Sequence, residues 1–105
     1  MIDKIFNVMT YFVIAQKLYK NKIPILPFLI CRLMRLFFSC EIPYTARIDK
    51  TVRFAHNALG VVIGDDTVIG KNSVILQNVT IGGRSGIRAN PVIGENVLIG
   101  AGACV

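Results

Sequence analysis

An aliphatic residue recurs at every sixth position from Ile63 through Ile69, Ile75, Ile81, Ile87, Ile93 and Ile99 to Val105, and glycine follows it at 64, 70, 82, 94 and 100. Helices repeat at 3.6 residues and simple strands at 2, so a period of six predicts a coiled parallel solenoid in which each unit gives one short strand and one turn. The aliphatic residue of each unit is expected to point inward and stack on its neighbours. The glycine after it is expected where the chain turns and where a side chain would clash or strain the backbone. Ile48 and Phe54 extend the inward series upstream, and Ile42 and Pro43 open the solenoid. Nine residues separate Phe54 from Ile63, so three must bulge from a turn, and His56 lies in that bulge.

Upstream, Ile2, Ile5, Phe6, Met9, Phe12 and Val13 fall at helical spacing, and Lys20–Lys22 followed by Pro24 ends that helix. A second helix is expected over Pro27–Phe38. Its Arg32 and Arg35 share a face, while Phe28, Leu29, Leu33, Leu36 and Phe37 cover most of the rest, which suits packing on the first coil or on a partner subunit. The other reading is an interfacial helix with its apolar side on lipid, giving a weak membrane-surface contact. The run from Ile23 to Phe38 is too short and too charged to span a bilayer. The opening run from Ile5 to Ala15 is broken by Asn7 and Thr10 and lacks a small-x-small cleavage site, so it is not read as an export signal. The domain reading is a helical region over residues 1–40 and a solenoid over 41–105.

Charge sharpens this division. Of the net +6 in 105 residues, all belongs to residues 1–60, which hold nine Lys or Arg against three acids; residues 61–105 hold three of each. The basic residues are scattered and lack aromatic stacking pairs, which argues against nucleic acid as a partner. Cys31, Cys40 and Cys104 form no CxxC pair and fit reduced cytoplasmic thiols. No metal-ligand spacing is present. A domain this small buries limited surface, and association would help it. The chain stops at Val105 on an inward position, where a solenoid needs a cap, so a longer natural sequence is expected.

The stretch CEIPYTARIDKTVRFAHNALGVVIGDDTVIGKNSVILQNVTIGGR, followed by NPVIGENVLIGAGA, resembles the serine acetyltransferase family. The order carries the resemblance: a histidine before GVVIG, a VTIGG turn, a proline before the next coil, then IGAGA. It implies a mainly β fold, a left-handed parallel β-helix preceded by a short helical region, and a homotrimer with active sites between neighbouring subunits. It implies acetyl transfer from acetyl-CoA, without a metal, to the hydroxyl of L-serine.

The resemblance gives His56, the single histidine, the place of the general base. Imidazole suits the role because its ordinary pKa of about 6.5 leaves it mostly neutral at cell pH, and such a base contributes roughly 10² to 10⁴ in rate. Glu41, fifteen residues earlier, matches an aspartate that orients the imidazole; the other reading is a solvated residue where the coil begins. Gly82, Gly83, Ala101 and Gly102 match the acetyl-CoA site, where small residues admit a thin pantetheine arm and backbone N–H groups can meet its amides or an oxyanion. Asn90, Arg84 and Arg88 are the acceptor-binding candidates, with CoA phosphate as the arginines' other partner.

Several positions depart from the family. Ala55 stands where an aspartate precedes the base, and Ala89 and Asn90 stand where Arg-His precedes the proline. Those family residues grip serine through charge-assisted bonds. Their replacement, with an N-terminal region far smaller than in typical cysteine-pathway enzymes, keeps two other readings open: acetylation of a sugar hydroxyl in polysaccharide assembly, and a non-catalytic scaffold.

Overall fold

The computed structural model describes residues 7–82 and 91–105. Two helices lead. Helix α1 (Val8–Lys20) starts at Asn7, whose side chain accepts the Met9 N–H at 2.9 Å, and ends with Lys17 and Lys20 in its last turn. Both ends follow helix physics: a side-chain oxygen satisfies an orphan N–H at the start, and cations meet the negative pole of the dipole at the finish. The expected helical positions Ile2, Ile5 and Phe6 lie outside the described residues. Helix α2 (Leu26–Phe38) carries Pro27 in its first turn, where no N–H is needed, and stops at Ser39 in the left-handed region, φ 54°.

The remainder is a parallel solenoid of two-residue strands: β1 (Arg47–Ile48), β2 (Arg53–Phe54), β3 (Val62–Ile63), β4 (Val68–Ile69), β5 (Val74–Ile75), β6 (Thr80–Ile81), β7 (Val92–Ile93) and β8 (Leu98–Ile99). They form three faces, ordered β1-β4-β7, β2-β5-β8 and β3-β6. Register stacks Ile48 on Ile69 on Ile93, Phe54 on Ile75 on Ile99, and Ile63 on Ile81. All these side chains are buried, as the period of six predicts. From Ile63 to Ile81 a coil takes 18 residues, whereas Phe54 to Ile75 takes 21, which locates the three extra residues at the His56 bulge.

The next coil is longer still: Ile75 pairs with Ile99, 24 residues on, so six extra residues fall between β6 and β7. Ile87, expected as an inward position, falls in that extra length and lies outside the described residues. Val105 departs from the expected burial. Its N–H donates to the Thr80 carbonyl at 2.8 Å, continuing the ladder, but its side chain is 49% exposed.

The turns correct the expected role of the glycines. A Cβ on Gly70 would sit 2.8 Å from the Gly94 carbonyl, so glycine there is a matter of coil-to-coil contact, but at Gly82 and Gly100 no atom of the described residues lies within 4 Å of such a Cβ. The left-handed corner lies further along, at Gly60, Asp66, Asn72, Asn78, Asn96 and Gly102, with φ between 57° and 75°. Asparagine, aspartate and glycine tolerate that region best, which accounts for a second six-residue pattern.

A second inward row, two residues before the first, contains Ala46, Val52, Val61, Thr67, Ser73 and Val79, all buried. Its two hydroxyls are satisfied: Thr67 Oγ1 donates to the Gly64 carbonyl at 2.7 Å, and Ser73 Oγ donates to that of Gly94 at 2.8 Å. Helix α1 closes one side of the solenoid with Val8, Phe12 and Ala15, and α2 contributes Met34 to the same core. The Gln16 side-chain amide donates to the Ala46 carbonyl, tying α1 to the first coil. Of the apolar residues of α2, Met34 packs in that core with Ile30 and Phe38 against it, whereas the five expected to cover the helix do not. Phe28, Leu29, Leu33, Leu36 and Phe37 are exposed.

Candidate active site

His56 lies in a turn over Ala55–Ala58, between β2 and β3. His56, Asn57 and Ala58 all adopt left-handed backbone, with φ of 54°, 52° and 61°. Such a conformation costs an L-residue roughly 1–2 kcal/mol, less for asparagine, so three in a row persist only where surrounding contacts impose them. The contacts are specific. Asn57 Oδ1 accepts the Val8 N–H at 3.2 Å, Leu59 N–H donates to the His56 carbonyl at 3.2 Å, and Gly60 N–H donates to that of Ser39 at 2.8 Å. Ala58 is fully buried beneath the turn. The imidazole is exposed and, among the described residues, makes no side-chain hydrogen bond.

Glu41 reaches this region through the backbone. Its N–H donates to the Val61 carbonyl at 2.8 Å, and its carbonyl accepts the Ile63 N–H at 2.8 Å, so residues 39–41 run beside 60–63, the stretch that follows the His56 turn. Its side chain faces Arg35, with Oε1 3.7 Å from the guanidinium, and both are more than half exposed. They border a cleft of about 470 Å³ that also takes in Arg32, Thr45, Asp65 and Asp66. Among the described residues Glu41 has no hydrogen bond to His56.

Of the four small residues, Gly82, Ala101 and Gly102 are described. Gly82 N–H donates to the Val105 carbonyl at 3.3 Å and Gly102 N–H to that of Gln77 at 3.1 Å, so these donors are engaged within the coil. Among the described residues, a Cβ at either glycine would meet no atom within 4 Å. Gly83, Arg84, Arg88 and Asn90 lie outside the described residues. Among the described residues no three His, Cys, Asp or Glu side chains gather as a metal-ligand set, and no helix is long and apolar enough to cross a membrane. Asn57 was missed by sequence reasoning. The available signal was an asparagine, tolerant of left-handed backbone, directly after the candidate base.

Residues 60–90 match the bacterial transferase hexapeptide (six repeats) family, and residues 91–105 match the hexapeptide repeat of succinyl-transferase. A serine acetyltransferase from Synechocystis sp. is 43% identical over 94 residues, covering 87% of this chain and 37% of that protein. Among solved structures, a Neisseria gonorrhoeae serine acetyltransferase in complex with serine superimposes with a TM-score of 0.84 at 33% identity, over 92% of this chain and 40% of that one. A serine acetyltransferase in complex with CoA gives 0.81 at 30% identity, over 96% and 41%. Fold and repeats together define a hexapeptide-repeat left-handed parallel β-helix with N-terminal helices. Over the stretch it covers, the chain is similar in both sequence and fold to the serine acetyltransferases. It spans about two fifths of the length of these relatives.

Proposed function

We propose that the chain forms the catalytic part of an O-acetyltransferase that moves acetyl from acetyl-CoA to the hydroxyl of L-serine, with His56 as general base. The observation that carries this reading is the left-handed turn that holds an exposed imidazole at the side of the solenoid. Strained backbone around a titratable group marks a site where position outweighs local stability. Neutral imidazole takes the proton from the acceptor hydroxyl as its oxygen attacks the thioester carbonyl. The tetrahedral intermediate then collapses, the C–S bond breaks, and the imidazolium returns the proton to the CoA sulfur. The donor arm would lie along the open backbone at Gly82, Ala101 and Gly102, with Gly83 beside them.

Glu41 is proposed to orient the imidazole, which requires its carboxylate to exchange Arg35 for His56. Both side chains are exposed, and a surface ion pair of this kind is worth at most about 1 kcal/mol, a small barrier to exchange. Arg84, Arg88 and Asn90 are proposed to hold the acceptor carboxylate or CoA phosphate. The open surface around His56 suits a homotrimer in which a neighbouring subunit supplies the second wall of the site. The three cysteines, in no CxxC pair, suit a cytoplasmic location.

A second reading, acetylation of a sugar hydroxyl, is favoured by Ala55. Directly before the base it presents a methyl group and no carboxylate for an amino-acid ammonium. Following thiol release from acetyl-CoA with L-serine or sugar acceptors separates the two: serine should be the better acceptor, and turnover of sugars alone would replace it. Ala55→Asp with Asn90→His should raise kcat/KM for serine through recovered bonds worth roughly 1.5–3 kcal/mol each, and leave a sugar acceptor unaffected.

A further inference from the structure

We propose that the exposed face of helix α2 is a docking surface for an anionic lipid membrane, binding the protein peripherally through its N-terminal helices. On α2, Leu26, Leu29, Leu33, Leu36 and Phe37 fall on one arc of the helix, and all are exposed, Leu36 and Phe37 at 73% and 72%. Ile25 extends the arc at its start. It is 71% exposed and held at φ 70°, a backbone region that β-branched residues rarely occupy. The arc continues into an apolar groove of about 560 Å³ between the helices, lined by Tyr11, Ile14, Ile30, Leu33, Phe37 and Phe38. A contiguous apolar surface on a water-facing helix marks an interaction site.

Charge selects the occupant. Residues 7–40 carry five cations, Lys17, Lys20, Lys22, Arg32 and Arg35, and no carboxylate. Arg32 borders the apolar arc on one side, its guanidinium 5.0 Å above the Phe28 ring, and Arg35 lies further round the helix beside Glu41. An apolar strip with a cation along one edge, on a helical pair that carries no carboxylate, matches the acyl boundary and phosphate layer of an anionic leaflet. Contact of this face with a second copy would instead bring the Arg32 side chains of the two copies together, while Glu41, Asp65 and Asp66 lie in the cleft on the Arg35 side of the helix. At thirteen residues α2 would lie in the interface rather than cross it.

The test is flotation of the full chain with vesicles of phosphatidylcholine alone and of two parts phosphatidylcholine to one part phosphatidylglycerol. The protein should partition onto the anionic vesicles at least about tenfold more strongly, and high salt should weaken the binding. Leu36→Ser with Phe37→Ser, at solvent-facing positions that leave the far-UV circular dichroism unchanged, should lower that partition at least about tenfold. Absence of the folded protein from floated anionic vesicles, equal binding to both vesicle types, or unchanged binding by the double variant would overturn the proposal. Vesicle-free protein whose mass in light scattering falls with the double variant, and which ignores anionic vesicles, would assign the face to a second copy and overturn it too.

Discussion

The Asn57 side-chain oxygen accepts the backbone N–H of Val8 at 3.2 Å, joining the turn that carries His56 to the first residue of helix α1 across 49 positions of sequence. One residue thus satisfies a helix-terminal donor and anchors a backbone held in the left-handed region. Asn57→Ala should lower unfolding free energy by about 1–2 kcal/mol, from the lost bond and from alanine's poorer tolerance of positive φ. Asn57→Gly loses the same bond but not the conformational fit, and should be milder by roughly 1 kcal/mol. Urea denaturation of both variants checks the order. A glycine variant as unstable as the alanine one would remove backbone strain from the account.

The stacked interior makes a sharper stability prediction. Ile75 is fully buried between Phe54 and Ile99. Ile75→Ala leaves a cavity that neighbouring coils cannot close, and should cost about 2–5 kcal/mol. Leu98, also on the β2-β5-β8 face but 68% exposed, should lose under about 1 kcal/mol as Leu98→Ala. Equal losses from the two variants would contradict the inward assignment.

Asp49 sets an acid-side dependence. Its carboxylate accepts the Thr51 hydroxyl at 2.7 Å and the Thr51 N–H at 2.9 Å, and these bonds, the hydroxyl's first, hold its pKa below the usual carboxylate range. The Thr51 oxygen in turn accepts the Asn72 N–H at 2.8 Å. Because the folded pKa is the lower one, the contribution is present above the unfolded value of about 3.9 and is lost as pH falls through the folded value. Asp49→Asn should flatten that part of a stability-against-pH curve. An unchanged slope would show that the Thr51 bonds carry no linkage.

The cysteines should separate by reactivity. Burial, with the neighbouring Cys31 adding to it, pushes the Cys40 thiol up to about 12, whereas Cys104 is exposed. Iodoacetamide at about pH 8 should modify Cys104 well before Cys40, since the thiolate is the nucleophile. The raised folded pKa also means that Cys40 supports stability below its unfolded value of about 8.5, an advantage lost as pH climbs toward the folded one. Early labelling of Cys40 in the folded protein would contradict its burial.

How far the sequence could be read depended on what each pattern encodes. The inward series at Ile63, Ile69, Ile75 and Ile81 was legible because one residue type repeats at one period, and the nine-residue step from Phe54 to Ile63 located the bulge by arithmetic. The second buried row was hidden by Thr67 and Ser73, polar residues that are tolerated inside because each finds a carbonyl on its own or an adjacent coil. The corner residues Asp66, Asn72, Asn78 and Asn96 repeat at the same period, but the glycines beside the strands drew the turn assignment to the wrong position. Helix α2 is apolar on most of its circumference, so its pattern could not say which side is covered; Met34 and the packing of α1 decide that. The Glu41 backbone pairs with Val61 and Ile63, and its side-chain direction follows Arg35, a partner no periodicity reveals.

The central claim is tested most directly by kcat/KM for acetyl transfer in the parent protein and in His56→Ala. The imidazole is exposed, so the substitution should leave the circular dichroism spectrum and the urea midpoint nearly unchanged while kcat/KM falls at least about a hundredfold. A folded His56→Ala variant that keeps more than about a tenth of the parent's kcat/KM would contradict the assignment of His56 as the base.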